Sequence, residues 1–194
     1  MNKLLTVILS SILVTSGCAL TVDKIDIPYE GKANNTVVDG AENIQVTVNG
    51  EDDRTVYKDR VGTKKNGYGM EMALIVPTNN IAKTFEDAIE FELESLGFKI
   101  GTGGKKVNVG VIRFYNDFKT GFFAGDAVAD SLINVSVKSQ NDKLIFSRSY
   151  EGGFILKNIQ LATGSNAREA LIGAMADVVA KIAQDKDLHQ ALLK

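Results

Sequence analysis

The chain holds a single cysteine, Cys18, in 194 residues. No disulfide can close within it, which excludes a disulfide-stapled scaffold. Histidine is equally scarce: His189 is the only one, with neither a second histidine nor a cysteine near it in sequence. That argues against a zinc site and against a Cys–His nucleophile pair. No serine sits in a nucleophile-elbow motif that could recruit His189. Charge of one sign is also missing: 22 basic and 24 acidic residues leave a net charge of −2. Such a balance gives no long-range attraction for nucleic acid or anionic head groups. No apolar run reaches the roughly 20 residues that a membrane-spanning helix needs. No internal repeat or low-complexity tract is visible. The expectation is a non-enzymatic protein with no cofactor and no metal.

What is present begins at the N-terminus. Lys3 precedes an apolar run over residues 4–14, and small residues Thr15, Ser16 and Gly17 lead to Cys18. Charge, apolar stretch and small residues in that order read as a secretory signal. A cysteine directly after the small residues makes it a lipoprotein signal, although Thr15 stands where leucine is usual. The thiol is then diacylglycerated, the signal over residues 1–17 is removed, and the new amine is acylated, with palmitate as the typical chain. Two or three acyl chains on one residue hold a protein on a membrane, where one chain alone is marginal. Loss of residues 1–17 removes Lys3 and no acid, leaving 21 basic and 24 acidic residues, a net charge of −3.

Residues 18–41 read as a lipidated N-terminus and flexible tether, polar and without sustained period, with Pro28, Gly31, Gly40 and Asn34-Asn35. About 20 such residues span roughly 25 Å on average. Residues 42–194 read as one domain. Ile44, Val46 and Val48 alternate in a strand that Asn49-Gly50 ends. Residues 55–62 leave a second short strand open, and residues 70–76 form a buried strand before Pro77. A helix capped by Asn79 or Asn80 follows, with Ile81, Phe85, Ala88, Ile89, Leu93 and Leu96 on one stripe and Gly97 after its end. Three strands come next: one around Val107, Val109 and Val111, one over residues 127–138 and one over residues 143–151, the last two joined by a turn at Gln140-Asn141-Asp142-Lys143. Asn166 and Glu169 suggest a capping box opening a long amphipathic helix, interrupted near residues 185–187. This order predicts an α+β fold: two layers, a mostly antiparallel sheet with two main helices on one face.

The pieces together resemble the YajG family of bacterial lipoproteins. The likeness rests on the lipobox, on Val46-Thr47-Val48-Asn49-Gly50 followed by Asp53-Arg54-Thr55, and on Ser95-Leu96-Gly97-Phe98. It continues through the strand over residues 107–115 and the tail with Asp187-Leu188-His189, and it spans nearly the whole mature chain. It implies an envelope lipoprotein with a small α/β domain and no catalytic residue to carry over. Ala19 follows the cysteine, where an aspartate would favour inner-membrane retention. The expected location is therefore the outer membrane, lipid-anchored, on the periplasmic face.

Three stretches invite chemistry. Gly101-Thr102-Gly103-Gly104-Lys105-Lys106 has the glycines of a phosphate loop but follows a helix and precedes a strand, so a flexible turn is the better reading. Glu51-Asp52-Asp53-Arg54 lacks the spacing of a calcium loop; Arg54 is expected to pin the strand exit, with ligand contact as the alternative. Residues 114–123 hold five of the chain's 14 aromatics and are read as a loop between strands. Phe118, Phe122, Phe123 and Arg54 are the candidate partner contacts, Cys18 the lipidation site. One of Phe122 and Phe123 is expected to be buried and the other more than half exposed. Two functions follow: a domain that binds another envelope component, expected to be a protein, or a carrier for an apolar ligand such as lipid or lipopolysaccharide, which requires a cavity between the layers. The membrane is met through the N-terminal lipid, and no nucleic acid is involved.

Overall fold

A computed structural model describes residues 20–31, 36–121 and 123–194. Cys18, the signal segment and Phe122 lie outside the described residues. Among the described residues are eight strands: β1 (Asp23–Ile25), β2 (Gln45–Glu51), β3 (Gly62–Lys65), β4 (Glu71–Pro77), β5 (Lys99–Ile100), β6 (Lys105–Lys119), β7 (Gly125–Lys138) and β8 (Leu144–Ile159). The helices are α1 (Ile81–Ser95), α2 (Gly164–Ala183) and α3 (Lys186–Leu193).

All eight strands join one mixed, mostly antiparallel sheet organised around β6. One edge of β6 carries two strands end to end, both parallel to it. β2 lies along its first half, from Val46 opposite Lys105 to Glu51 opposite Gly110, and β3 meets its second half at Gly62 opposite Asn116. Along its other edge β6 runs antiparallel to β7, which pairs antiparallel with β8. β4 continues the sheet beyond β3, and β1 closes that side in parallel with β4.

Helices α1 and α2 lie on the same face and touch each other, α1 over β2 and β6, α2 over β6, β7 and β8. Period 2 in β7 sends Ala127, Ala129, Ser131, Ile133, Val135 and Val137 into that interface. Phe85 of α1 meets Phe114 of β6 edge to face at 5.2 Å between centroids. A methyl group on Gly152 of β8 would lie 2.5 Å from Cβ of Val178, so the bare glycine is what lets α2 sit this close. Ser131 Oγ donates into the same contact, 3.1 Å from the Ala174 carbonyl. The expected two-layer α+β architecture is the observed one.

Four details differ from the sequence reading. First, β6 continues to Lys119, so most of the supposed aromatic loop is strand. A bulge at Ile112 shifts register between Val111 and Arg113, switching the buried set from Val107, Val109 and Val111 to Phe114, Asn116 and Phe118. The alternation changes parity midway, which hides the strand from a period-2 search. Second, residues 23–27 of the supposed tether are part of the domain. β1 pairs with β4, Ile25 and Ile27 are buried, and Asn79 brackets Ile27, accepting its N–H at 3.1 Å and donating to its carbonyl at 2.9 Å. Third, β8 runs eight residues past Glu151, to Ile159. Fourth, α2 starts at Gly164 with Thr163 as its cap, while Asn166 donates to the Leu161 carbonyl at 2.8 Å. Asp23 supplies an acceptor at 2.7 Å for the Gly164 N–H, a partner for the helix end that lies far away in sequence.

Candidate functional site

Two regions flank the second half of β6. The loop over residues 52–61 connects β2 to β3 and lies on the sheet face opposite the helices. Arg54, only 4% exposed, organises it. Its Nε donates to Asp52 Oδ1 at 2.8 Å and its Nη2 to Asp52 Oδ2 at 2.8 Å. The remaining donors meet the carbonyls of Tyr57 at 3.3 Å, Lys58 at 3.2 Å and Arg60 at 3.2 Å. This fork saturates a buried guanidinium. The same hydrogen bonds hold the Asp52 carboxyl below the usual carboxylate range, against the opposing effect of partial burial. Tyr57, at a φ of 56°, stacks on Tyr115 of β6 at 4.9 Å, and the Arg60 guanidinium lies 4.3 Å over the Tyr57 ring. Arg54 is therefore a structural keystone of its own loop; its donors face inward, which corrects its reading as a partner contact.

The second region is the end of the sheet where the β6–β7 turn, the β3–β4 turn and the segment entering α2 converge. They enclose an open cleft of about 650 Å³ lined by Thr21, Lys64, Met72, Phe118, Phe123 and Leu161 among others. Phe118 is 2% exposed and belongs to the core, a second correction to the contact set. Phe123 is 87% exposed; Phe122, the other member of the Phe122–Phe123 pair, lies outside the described residues. Tyr68, 91% exposed, sits on the β3–β4 turn whose Asn66 and Gly67 line the same cleft, and Leu161, 70% exposed, also lines it. Sequence reasoning missed both; the Asn66-Gly67-Tyr68-Gly69 turn, with an aromatic at its tip, was the available signal for the first.

Charges at this end are paired. Lys64, buried, sits 3.0 Å from Asp23, and Asp117 receives both Lys65 and Lys119. Burial pushes the Asp117 carboxyl up, but the two lysines outweigh it and hold it below the usual range. Asp23 joins three elements, since it belongs to β1, pairs with β3 and caps α2. The cleft opens at the end of the sheet and does not lie between sheet and helices, which is where a lipid carrier of the expected design would hold its ligand.

Other candidates resolve as structure. His189 Nε2 lies 2.8 Å from the Ala183 carbonyl and ties α3 to the end of α2. The glycine-rich stretch leads into β6, where Lys105 donates to the Leu192 carbonyl at 2.6 Å. Among the described residues no group of three or more His, Cys, Asp or Glu is placed to hold a metal ion. No described helix is long and apolar enough to cross a membrane.

The described residues form a small α+β domain, and it is the family match that places the chain among lipoproteins. Residues 32–193 match the Lipoprotein_16 family, described as "Uncharacterized lipoprotein", and the chain belongs to that family. It is 20% identical over 149 residues to the uncharacterized lipoprotein YajG of Escherichia coli O6:H1 (strain CFT073), covering 76% of this chain and 74% of that one. Among solved structures, an uncharacterized protein superposes with a TM-score of 0.50 at 16% identity, over 84% of this chain and 97% of its own. A minor lipoprotein from Acinetobacter baumannii gives 0.46 at 6% identity, over 80% and 96%.

Proposed function

We propose that this lipoprotein is anchored through acylated Cys18 to the periplasmic face of the outer membrane. There it acts without catalysis, binding another envelope component through the end of the sheet that carries Phe123. The observation that carries this reading is the concentration of exposed apolar side chains, Phe123, Leu161 and Tyr68, around one cleft. Exposed apolar surface gathered in one place marks an interaction site, where scattered single residues do not.

Photo-crosslinking in cells tests it. A crosslinking side chain at position 123 or 161 should trap an envelope component, and one at position 142, in the β7–β8 turn, should trap none. Equal or absent capture at all three positions would sink the reading. Cys18→Ser tests the anchor: the variant should accumulate as an unprocessed precursor or a soluble form, and wild-type outer-membrane fractionation would contradict acylation.

A second reading, a carrier for an apolar ligand, draws on the same cleft, whose wall includes Met72, Phe118 and Ile159. Lipid retained by the purified protein in native mass spectrometry would favour it; consistent absence of lipid would remove it.

A further inference from the structure

The end of the sheet that carries the cleft is also the end from which the chain runs back toward Cys18. Thr21 lines the cleft, and Leu20 and Val22 on either side of it are exposed. One residue, Ala19, separates Cys18 from Leu20, and two extended steps of chain reach no more than roughly 7 Å. β1 then fixes the chain into the sheet from Asp23 onward. An acylated Cys18 therefore cannot let this domain drift away from the bilayer; it holds one particular end against it.

That end is dressed for the place. Leu20, Val22, Tyr68, Met70, Phe123 and Leu161 are all exposed, and they come from the N-terminal segment, the β3–β4 turn, the β6–β7 turn and the segment before α2. Gly69 of one turn approaches the Thr120 hydroxyl of the other, with 3.5 Å from its Cβ position, so the two tips form one surface. Aromatic and aliphatic side chains on turn tips suit the boundary between head groups and acyl chains. The three lysines there, Lys64, Lys65 and Lys119, are paired with two aspartates, Asp23 and the shared Asp117, so these groups leave a net charge of only +1.

We infer that this end seats in the lipid–water interface of the membrane that holds the acyl anchor, with the β3–β4 and β6–β7 tips as a second contact beside the lipid chains. The inference rests on the proposed anchor and names the envelope component met by the Phe123 end as the bilayer surface itself. The acyl chains supply attachment, and the tips fix orientation. The β7–β8 turn then points away, since the 14 residues of β7 separate the two ends by roughly 40 Å at about 3.3 Å per residue. Because the lysines are already paired, seating depends on apolar contact and responds weakly to salt.

The test uses the mature lipidated protein in phosphatidylethanolamine–phosphatidylglycerol vesicles. An environment-sensitive dye is placed on Phe123→Cys, on Leu161→Cys or on Asp142→Cys; acylation blocks the thiol of Cys18. Positions 123 and 161 should show blue-shifted emission and at least about two-fold quenching by nitroxide-labelled lipids, little changed by high salt, while position 142 shows neither. Aqueous emission at 123 and 161 would overturn the seating and leave the anchor intact. A blue shift without lipid quenching would overturn it in favour of a protein cover or a filled cleft. Mass spectrometry of the same sample reads acylation of Cys18 directly, so a missing anchor is told apart from a failed contact.

Discussion

The loop over residues 52–61 and the turn over residues 120–124 flank the same half of β6, and they resolve in opposite senses. The polar one turns inward: Arg54 is 4% exposed. The aromatic one turns outward: Phe123 is 87% exposed. Hydropathy alone would assign them the other way round. The difference lies in what each can satisfy. The 52–61 loop folds its own carboxylate and three carbonyls around the guanidinium, so burial leaves no donor of the fork unmet. Around the β6–β7 turn the core already has its aromatic, Phe118, five residues before Phe123 and 2% exposed.

Breaking the comparison at its strongest point means removing Phe118. Phe118→Ala deletes a buried ring and should lower stability by about 3–5 kcal/mol, read as a shifted midpoint in urea denaturation. Arg54→Ala comes next. It strips a buried charge network and leaves carbonyls and Asp52 without their donor, at an expected cost of about 3 kcal/mol. Acid is the milder form of the same experiment. The native Asp52 carboxyl titrates below its unfolded value, so its contribution is present above the ordinary carboxylate range, about 3.9, and is lost as pH falls through the lowered native value. Tyr57 fluorescence should then report loosening of the loop before global unfolding, and a loop signal flat down to the unfolding transition would contradict this.

Asn116 sharpens the same point from the other side. It is fully buried, and neither polar atom of its side chain has a partner. Where Arg54 is satisfied, Asn116 is not. Asn116→Leu should therefore raise stability by about 1 kcal/mol, and a loss of that size would show the amide to be usefully bonded. The smallest effect belongs to Phe123→Ser, expected within about 0.5 kcal/mol of wild type while capture from the envelope is lost.

Much of this was legible in sequence wherever a period ran long enough. The α1 stripe from Ile81 to Leu93, its Asn80 cap and its Gly97 stop are readable because helix signals are local. The α+β layering followed from them. The second half of β6 was not readable, because the Ile112 bulge reverses the parity of its buried positions. β1 was not readable either: three residues are too few for a pattern, and its partners, Lys64, Ile75 and Gly164, lie far along the chain. A pin at the strand exit is legible in Asp52-Asp53-Arg54, but the exclusion of Arg54 from the surface is visible only in the carbonyls that converge on it. Phe123 and its neighbours become a site only when two turns and the N-terminal segment are brought together, which is tertiary information.

The proposed membrane contact requires that the chain just after Cys18 belong to the folded domain. Amide hydrogen exchange of the lipidated protein over residues 23–27 tests it directly. Ile27 donates its N–H to Asn79 and β1 is laddered to β4, so this stretch should exchange orders of magnitude more slowly than unstructured chain, in step with β4. Exchange at the rate of free chain would make it a flexible tether and would contradict the proposed seating of the Phe123 end on the membrane.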